Sequence, residues 1–377
     1  MRILFLAGGS PATVFPLVPL ATAARNAGHE VLMAGTEGIT SSISGAGLPA
    51  LSVSPLTMLD FFTNDKHGNS LEWPPDPEDW KLFIGRGFGR LARASMEPLL
   101  DLARSWRPDV VVGGQLAFVA PLLAKRLGVP YVRHTWDSGE PPEADLGAAE
   151  ELEPEFRELG LDGFPVADLH VELCPPSLLP PGPAPANLQH MRYVASSPQR
   201  TLEPWMYTRP ERRRICVTAG CRVTKDQYFD FLRDLAGKVA PLGAEIVVAA
   251  PEDVARDLTA GLDNVHAGWL PLDVVARTCD LFVHHAGGGT SLLVMAAGLP
   301  QLLIPNMPSS VAPSQRLTDF GASLMLMPGE DTLDAVVSGC QELLENPSYT
   351  ERARVVADEI RSQPLPVDVL AIVEELV

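Results

Sequence analysis

Residues 279–305 read CDLFVHHAGGGTSLLVMAAGLPQLLIP, an order of residues that few folds accommodate. Residues 281–283 are a short apolar run, the mark of a buried strand. His284 and His285 follow, then Gly287, Gly288 and Gly289, then Thr290 and Ser291. A helical run over 292–297 is stopped by Gly298 at its C-cap and by Pro300 beyond. Residues 301–304 form a second buried strand. A helix whose first turn lacks bulky side chains presents free backbone N–H groups and the positive end of its dipole, which suits phosphate. A histidine at the strand tip adds a donor for the same anion. This reading, a diphosphate cradle, outweighs the plainer one of a tight turn that binds nothing, with His284 or His285 satisfied near the sheet.

A chain of 377 residues, 46% of them hydrophobic, is long enough for two domains with full cores. Its net charge of −18 argues against nucleic-acid and anionic-membrane partners, both of which reward basic patches. An anionic ligand must then be held by local N–H groups and a few basic side chains. The five cysteines are scattered and include no C-x-x-C, which fits a reducing, cytoplasmic setting and gives no metal pattern. The apolar start, MRILFLAGG, is too short for a signal peptide, and no run approaches the ~20 apolar residues of a membrane span. The oligomeric state stays open, a homodimer being one option.

In the first half, residues 3–7 and 30–34 read as strands around a helix near 16–27, with the turn Gly8, Gly9, Ser10, Pro11 between. Such spacing implies a parallel pair with a right-handed crossover. Strands at 110–113 and 131–133 around a helix at 116–127 extend a doubly wound sheet. Its ligands belong at the carboxyl ends of the strands, on the loops 8–15, 114–115 and 134–142. Residues 55–88 break the alternation and read as a loop-rich insertion carrying Phe61, Phe62, Trp73, Trp80, Phe83 and Phe88. These aromatics either grip an apolar, planar ligand or form a satellite core, the commoner fate residue for residue. Asp137 falls four residues past a strand, beside His134 and Trp136. A general base and a plain loop aspartate weigh about evenly there. The glutamates between 150 and 158 read as a solvated helix face, and the prolines of 175–210 leave little room for regular structure. The linker is expected at 196–210.

The second half restarts with a strand at 215–219 ending in Gly220, Cys221 and Arg222, where Arg222 meets a phosphate or forms a surface ion pair. A helix at 226–240 and a strand at 245–249 follow. Trp269 and Leu270 stand just before another helix; Trp269 stacks on a nucleobase or is a half-buried core residue. Pro364 and Pro366 mark a break before a last helix at 367–376.

Four blocks, FPLVPLATAARNAGHEV (15–31), VTAGCR (217–222), GWLPLDVV (268–275) and HHAGGGTSLLVMAAGLPQLLIP (284–305), together resemble the nucleotide-sugar glycosyltransferases of the GT-B fold over essentially the whole chain. Within them the chain looks like the bacterial enzymes of polyketide antibiotics. HHAGG with LPQLLIP, MPGEDT and QPLP are most similar to the group that makes C-glycosides of angucycline-type aromatic polyketides. The resemblance implies an α/β protein of two doubly wound, Rossmann-like domains facing each other across a cleft. Residues 1–200, joined by the helix 364–377, would bind the acceptor and 201–363 the TDP-sugar. It also implies a TDP-deoxysugar donor of olivose type, an aromatic polyketide acceptor, inversion, and no metal or other cofactor. Ser10, Gly220, Cys221, Arg222, Trp269, Leu270, His285, Gly287, Gly288, Gly289, Thr290, Ser309 and Ser310 would meet the donor. His285 and the N–H groups from Gly287 to Thr290 would take the diphosphate; Trp269 would flank the thymine and the Leu270 backbone read its edge. Strand alternation sends His284 and His285 to opposite faces, so one of them is expected in the cleft. Phe61, Phe62, Trp73, Trp80, His134 and Trp136 would line the acceptor side.

Three departures from the family pattern stand out. Thr13 aligns with the family's catalytic first-loop histidine and cannot be a strong base, which moves that role to Asp137, matching the acceptor-side aspartate of the C-glycosylating group. Ser309 and Ser310 replace an Asp-Gln pair that holds sugar hydroxyls, which suits a sugar with fewer of them. Ala286 and Cys221 replace a glycine and a serine or threonine, with little effect expected. O-glycosylation of the same acceptor and a non-catalytic auxiliary homologue remain as alternatives. A dinucleotide oxidoreductase ranks last, because AGGSPA after the first strand is not G-x-G-x-x-G.

Overall fold

The apolar runs form two parallel sheets, each in its own compact unit, in a computed structural model that describes residues 1–65, 67–76, 79–137, 143–221, 223–225, 227–258 and 265–377. The first unit comprises Met1–Leu173, Pro181–Arg192 and Gln363–Val377. Its strands are β1 (Arg2–Leu6), β2 (Glu30–Thr36), β3 (Ala50–Ser54), β4 (Val110–Gly114), β5 (Tyr131–His134), β6 (Leu169–Glu172) and β7 (Leu188–His190). They lie in the order β3-β2-β1-β4-β5-β6-β7 and every pairing is parallel. Ile3 pairs with Val110 and Phe5 with Val112, and all four are buried. Helices cover both faces, so these strands need no polar side and read as unbroken apolar runs. Burying such a side chain stabilises the fold by roughly 1.5–3 kcal/mol. The chain runs outward from β1 to β3, then returns to place β4 on the other side of β1. The carboxyl ends of β1 and β4 therefore flank the switch point.

The 55–88 segment is not a loop-rich insertion. It holds a helix, Met58–Thr63, and the start of a 27-residue helix, Asp79–Ser105. Gly85, Gly87 and Gly89 look like helix breakers but are contact points. A Cβ at Gly85 would fall 2.0 Å from the Ala144 carbonyl oxygen, and one at Gly147 would fall 2.1 Å from that of Leu82. Two helix backbones meet there, Asp79–Ser105 and Glu143–Glu151, and only glycine lets them come so close. Nor are all the nearby glutamates solvated. Arg90 pairs with Glu151 at 2.6 Å and Arg93 with Glu155 at 2.7 Å, with both carboxylates largely buried. The proline-rich region likewise yields β7 and a short helix, Pro204–Tyr207. The C-terminal helix Pro366–Glu374 belongs to the first unit, where Glu374 meets His29 at 2.6 Å.

The second unit comprises Cys174–Pro180 and Tyr193–Ser362. Its strands are β8 (Arg214–Thr218), β9 (Glu245–Ala249), β10 (Val265–Gly268), β11 (Leu281–His284), β12 (Gln301–Leu303) and β13 (Ser323–Met325), in the order β10-β9-β8-β11-β12-β13, again all parallel. Its switch point lies between β8 and β11. Arg214, fully buried at the start of β8, donates to Glu245 at 2.7 Å and to the carbonyl of Trp205 at 2.9 Å, tying the Pro204–Tyr207 helix to the sheet. No described helix is long and apolar enough to cross a membrane.

Candidate functional site

At the switch point of the second unit two turns come together around one imidazole. β8 ends at Thr218, whose hydroxyl donates to the Ala249 carbonyl (2.7 Å) and accepts from the Gly220 N–H (3.1 Å). That bond shapes a turn in which Gly220 has φ +83°, a conformation glycine adopts without strain. β11 ends at His284 and is followed by His285, which is 9% exposed. A Cβ at Gly220 would fall 2.7 Å from His285 Nε2, and one at Gly287 would fall 2.3 Å from it. The His285 ring is thus seated between two bare backbones, and both positions must lack a side chain.

The helix of this stretch spans Gly288–Ala297, starting a turn earlier than the apolar run suggests, and Gly298 closes it with φ +69°. Gly287 is its N-cap and brings no capping side chain. The first intrahelical bond runs from the Ser291 N–H to the Gly287 carbonyl (2.9 Å), so the N–H groups of Gly288, Gly289 and Thr290 precede the ladder. A Cβ at Gly289 would meet nothing within 4 Å, so there is open space above the turn. An uncapped first turn beside an imidazole has the donors and the dipole end that suit an anion.

The two histidines differ as strand alternation requires. His284 is fully buried, with Nε2 2.8 Å from Gln301 Oε1 and Nδ1 accepting from the Ala286 N–H (3.2 Å). A backbone N–H can only donate, so Nε2 carries the proton and the ring is neutral. Burial holds its pKa down to about 4. Gln301, itself 1% exposed, is a residue whose role the sequence reading missed; a lone amide within an apolar strand was the available signal. Ala286 sits at φ +59°, so its side chain is tolerated there against the backbone's preference.

Trp269 and Leu270 follow β10 on the same sheet edge, Trp269 half-buried and Leu270 buried. The Trp269 N–H donates to Glu252 (2.9 Å), and its carbonyl accepts from Arg200. Ser309 and Ser310 lie half-buried in the first turn of the helix Pro308–Phe320, after β12. Cys221 is half-buried beside Gly220. Arg222 lies outside the described residues.

In the first unit Asp137 stands three residues past β5 and is half-buried. Trp136 beside it is 6% exposed and pressed on Gly114, where a Cβ would fall 1.9 Å from its Nε1. Phe88 lies 5.9 Å from Trp136, Phe62 5.9 Å from Phe88, Trp73 6.0 Å from Phe62 and Trp80 5.3 Å from Trp73, between ring centroids. These rings form one continuous aromatic line from the exposed Trp73 to the residue next to Asp137. Phe61 is buried in the same core cluster as Phe88 and Trp136. His134, expected on the acceptor face, is instead fully buried: the pleat turns it inward, its Nδ1 lies 2.7 Å from the Thr135 carbonyl, and burial lowers its pKa to about 4. Ser10 lies in this unit too, in the turn after β1. Thr13 closes that turn, accepting from the Gly8 N–H (2.9 Å) and donating to the Ser10 carbonyl (2.7 Å).

Known proteins carry the same architecture. The N-terminal-domain model of the erythromycin biosynthesis protein CIII-like family matches residues 22–220, and the C-terminal-domain model matches residues 233–376. An L-demethylnoviosyl transferase of Streptomyces niveus is 31% identical over 97% of this chain and 96% of its own length. A 3-alpha-mycarosylerythronolide B desosaminyl transferase of Saccharopolyspora erythraea is 29% identical over 100% of this chain and 98% of its own. The crystal structure of a Streptomyces sp. SF2575 glycosyltransferase with thymidine diphosphate superposes with a TM-score of 0.88 at 33% identity, covering 100% of this chain and 99% of that one. The fold is GT-B, with two Rossmann-like parallel sheets.

Proposed function

Because the chain belongs to the erythromycin biosynthesis protein CIII-like glycosyltransferases, we propose that it transfers an olivose-type deoxysugar from a TDP-sugar to a phenolic aromatic polyketide, forming a C-glycosidic bond with inversion. The observation that carries the donor half is the His285 ring seated between Gly220 and Gly287 at the head of an uncapped helix. Likeness to a relative crystallised with thymidine diphosphate supports the nucleotide assignment. The aromatic line ending beside Asp137 supports a planar, apolar acceptor.

In this mechanism the Asp137 carboxylate takes the proton of the phenol. The phenolate raises electron density on the ring carbon ortho to it. That carbon attacks the anomeric carbon from the face opposite TDP, and the bond from the anomeric carbon to the diphosphate oxygen breaks. His285 and the N–H groups of Gly288, Gly289 and Thr290 stabilise the charge that develops on the leaving diphosphate. The ring carbon then loses its proton to solvent, which restores aromaticity as a phenolate, and the phenolate takes back the proton held by Asp137. No metal or further cofactor takes part, and the enzyme works in the cytoplasm.

The test is to incubate the purified protein with a TDP-deoxysugar and a panel of phenolic polyketides, then analyse the product by mass and carbon NMR before and after acid. A C-linked sugar survives acid. Release of the sugar makes the enzyme an O-glycosyltransferase, and no transfer by the protein alone makes it an auxiliary homologue.

A further inference from the structure

Trp269 is held at both of its peptide groups by residues outside the glycine turns. Its N–H donates to Glu252 Oε2 at 2.9 Å, from the first residue of the helix Glu252–Leu258. Its carbonyl accepts from the Arg200 guanidinium, in the irregular stretch of the second unit that precedes the helix Pro204–Tyr207. Fixing the peptide planes before and after one residue fixes both of its soft dihedrals, φ and ψ. Glycine at 268 is part of the same arrangement, since a Cβ there would lie 3.0 Å from Glu252 Oε2. There is a second consequence. In a trans peptide the carbonyl and the next N–H point in opposite directions, and every described peptide is trans. Arg200, by holding the Trp269 carbonyl, therefore also aims the Leu270 N–H.

We propose that Arg200 and Glu252 are positioning residues, which pre-set the Trp269–Leu270 backbone for the pyrimidine of a nucleoside diphosphate. This rests on the nucleotide reading given above. Neither residue need touch the ligand. Together they remove the conformational freedom that would otherwise be lost when Trp269 packs on the base and Leu270 meets its edge. A carboxylate serves at 252 because it accepts a backbone N–H without a competing donor, and a guanidinium serves at 200 because it only donates.

The experiment measures TDP affinity by calorimetry, and inorganic diphosphate affinity by competition against TDP, for the full-length wild type, Arg200→Ala, Glu252→Ala, Arg200→Lys and Glu252→Gln. Each alanine variant is expected to weaken TDP about three- to tenfold, the size of one solvent-exposed charged hydrogen bond, and to leave inorganic diphosphate unchanged. The lysine and glutamine variants, which keep a donor and an acceptor, should recover most of the TDP affinity. Unchanged TDP affinity in both alanine variants overturns the proposal. So does an equal loss for TDP and inorganic diphosphate, which would mean general damage to the sheet edge. Failure of the wild type to bind TDP is a separate result: it removes the nucleotide reading itself and this inference with it.

Discussion

Each unit has a glycine turn at its switch point, after β1 in the first and after β11 in the second, and the two turns end in opposite conditions. After β1 the chain reads Ala7, Gly8, Gly9, Ser10, and the Thr13 hydroxyl fills the turn from within, accepting a hydrogen bond from the Gly8 N–H and donating one to the Ser10 carbonyl. After β11 no side chain caps the helix at Gly287, and the turn keeps an imidazole in place of a hydroxyl staple. One turn is satisfied by a side chain of its own chain, and the other has no capping side chain. Topology supplies the location in both; a single polar side chain decides whether it stays open.

If the first unit supplies chemistry and the second supplies the leaving-group site, their residues should fail differently. The largest effect is expected for Asp137→Ala. A positioned base contributes roughly 10²–10⁴ in rate, so turnover should fall by that factor while TDP affinity, read by calorimetry, stays put. Near-normal turnover would take the base role away from Asp137. Next is acid sensitivity, which the units should share. His134 and His284 each end a strand fully buried, and their pKa values lie near 4 against 6.5 for the free side chain. Below pH 6.5 the unfolded chain takes up protons that the folded chain refuses, so stability falls as pH drops from 6.5 to about 4 and then levels off for these groups. The loss at His284 is about 3 kcal/mol over that window. Replacing His284 with Gln should flatten the curve measured by denaturant unfolding, and an unchanged slope would count against a neutral, buried ring.

Third comes the turn of the second unit. His285→Ala should weaken TDP about ten- to a hundredfold, the scale of a hydrogen bond to a charged group. Gly287→Ala should do the same without touching the imidazole chemically, because its new Cβ occupies the ring's place. Intact affinity in both would remove the cradle. The matching change in the first unit, Thr13→Val, should cost about 1–2 kcal/mol of stability by leaving the Gly8 N–H unpaired, with TDP affinity unaffected. A loss of TDP affinity from Thr13→Val would blur the contrast between the turns.

Much of this was legible in the sequence because the informative residues are backbone instructions. The runs at 3–7, 215–219 and 281–283 read as strands of buried sheets, and Gly298 announces the end of its helix. What stayed hidden depends on partners far along the chain. Nothing local to Gly85 and Gly147 reveals that another helix backbone will lie against them. Short strands such as β7 and β13, three residues each, carry too little pattern to register. Among the candidate residues of the two units, His285 and Asp137 could be singled out by type and position. Glu252, Arg200 and Gln301 could not, because their roles are hydrogen bonds to residues 17, 69 and 10–17 positions away.

The smallest expected effect tests the reading of the open turn most finely. Ala286 is left-handed, at φ +59°, and a Cβ there costs about 1–2 kcal/mol relative to glycine. Ala286→Gly removes that strain. Against it stand two terms: a freer unfolded chain, about 0.5–1 kcal/mol, and loss of a buried methyl, about 0.8 kcal/mol. The terms nearly cancel, so the net change in unfolding free energy should stay within about 0.5 kcal/mol of zero. The Ala286 N–H still reaches His284 Nδ1 in either residue, so the path of the turn and the affinity for TDP should hold as well. A destabilisation of about 2 kcal/mol or more would mean that the methyl is a packing element of the sheet edge and not a tolerated strain. It would also make the second turn, like the first, one that is held shut by a side chain.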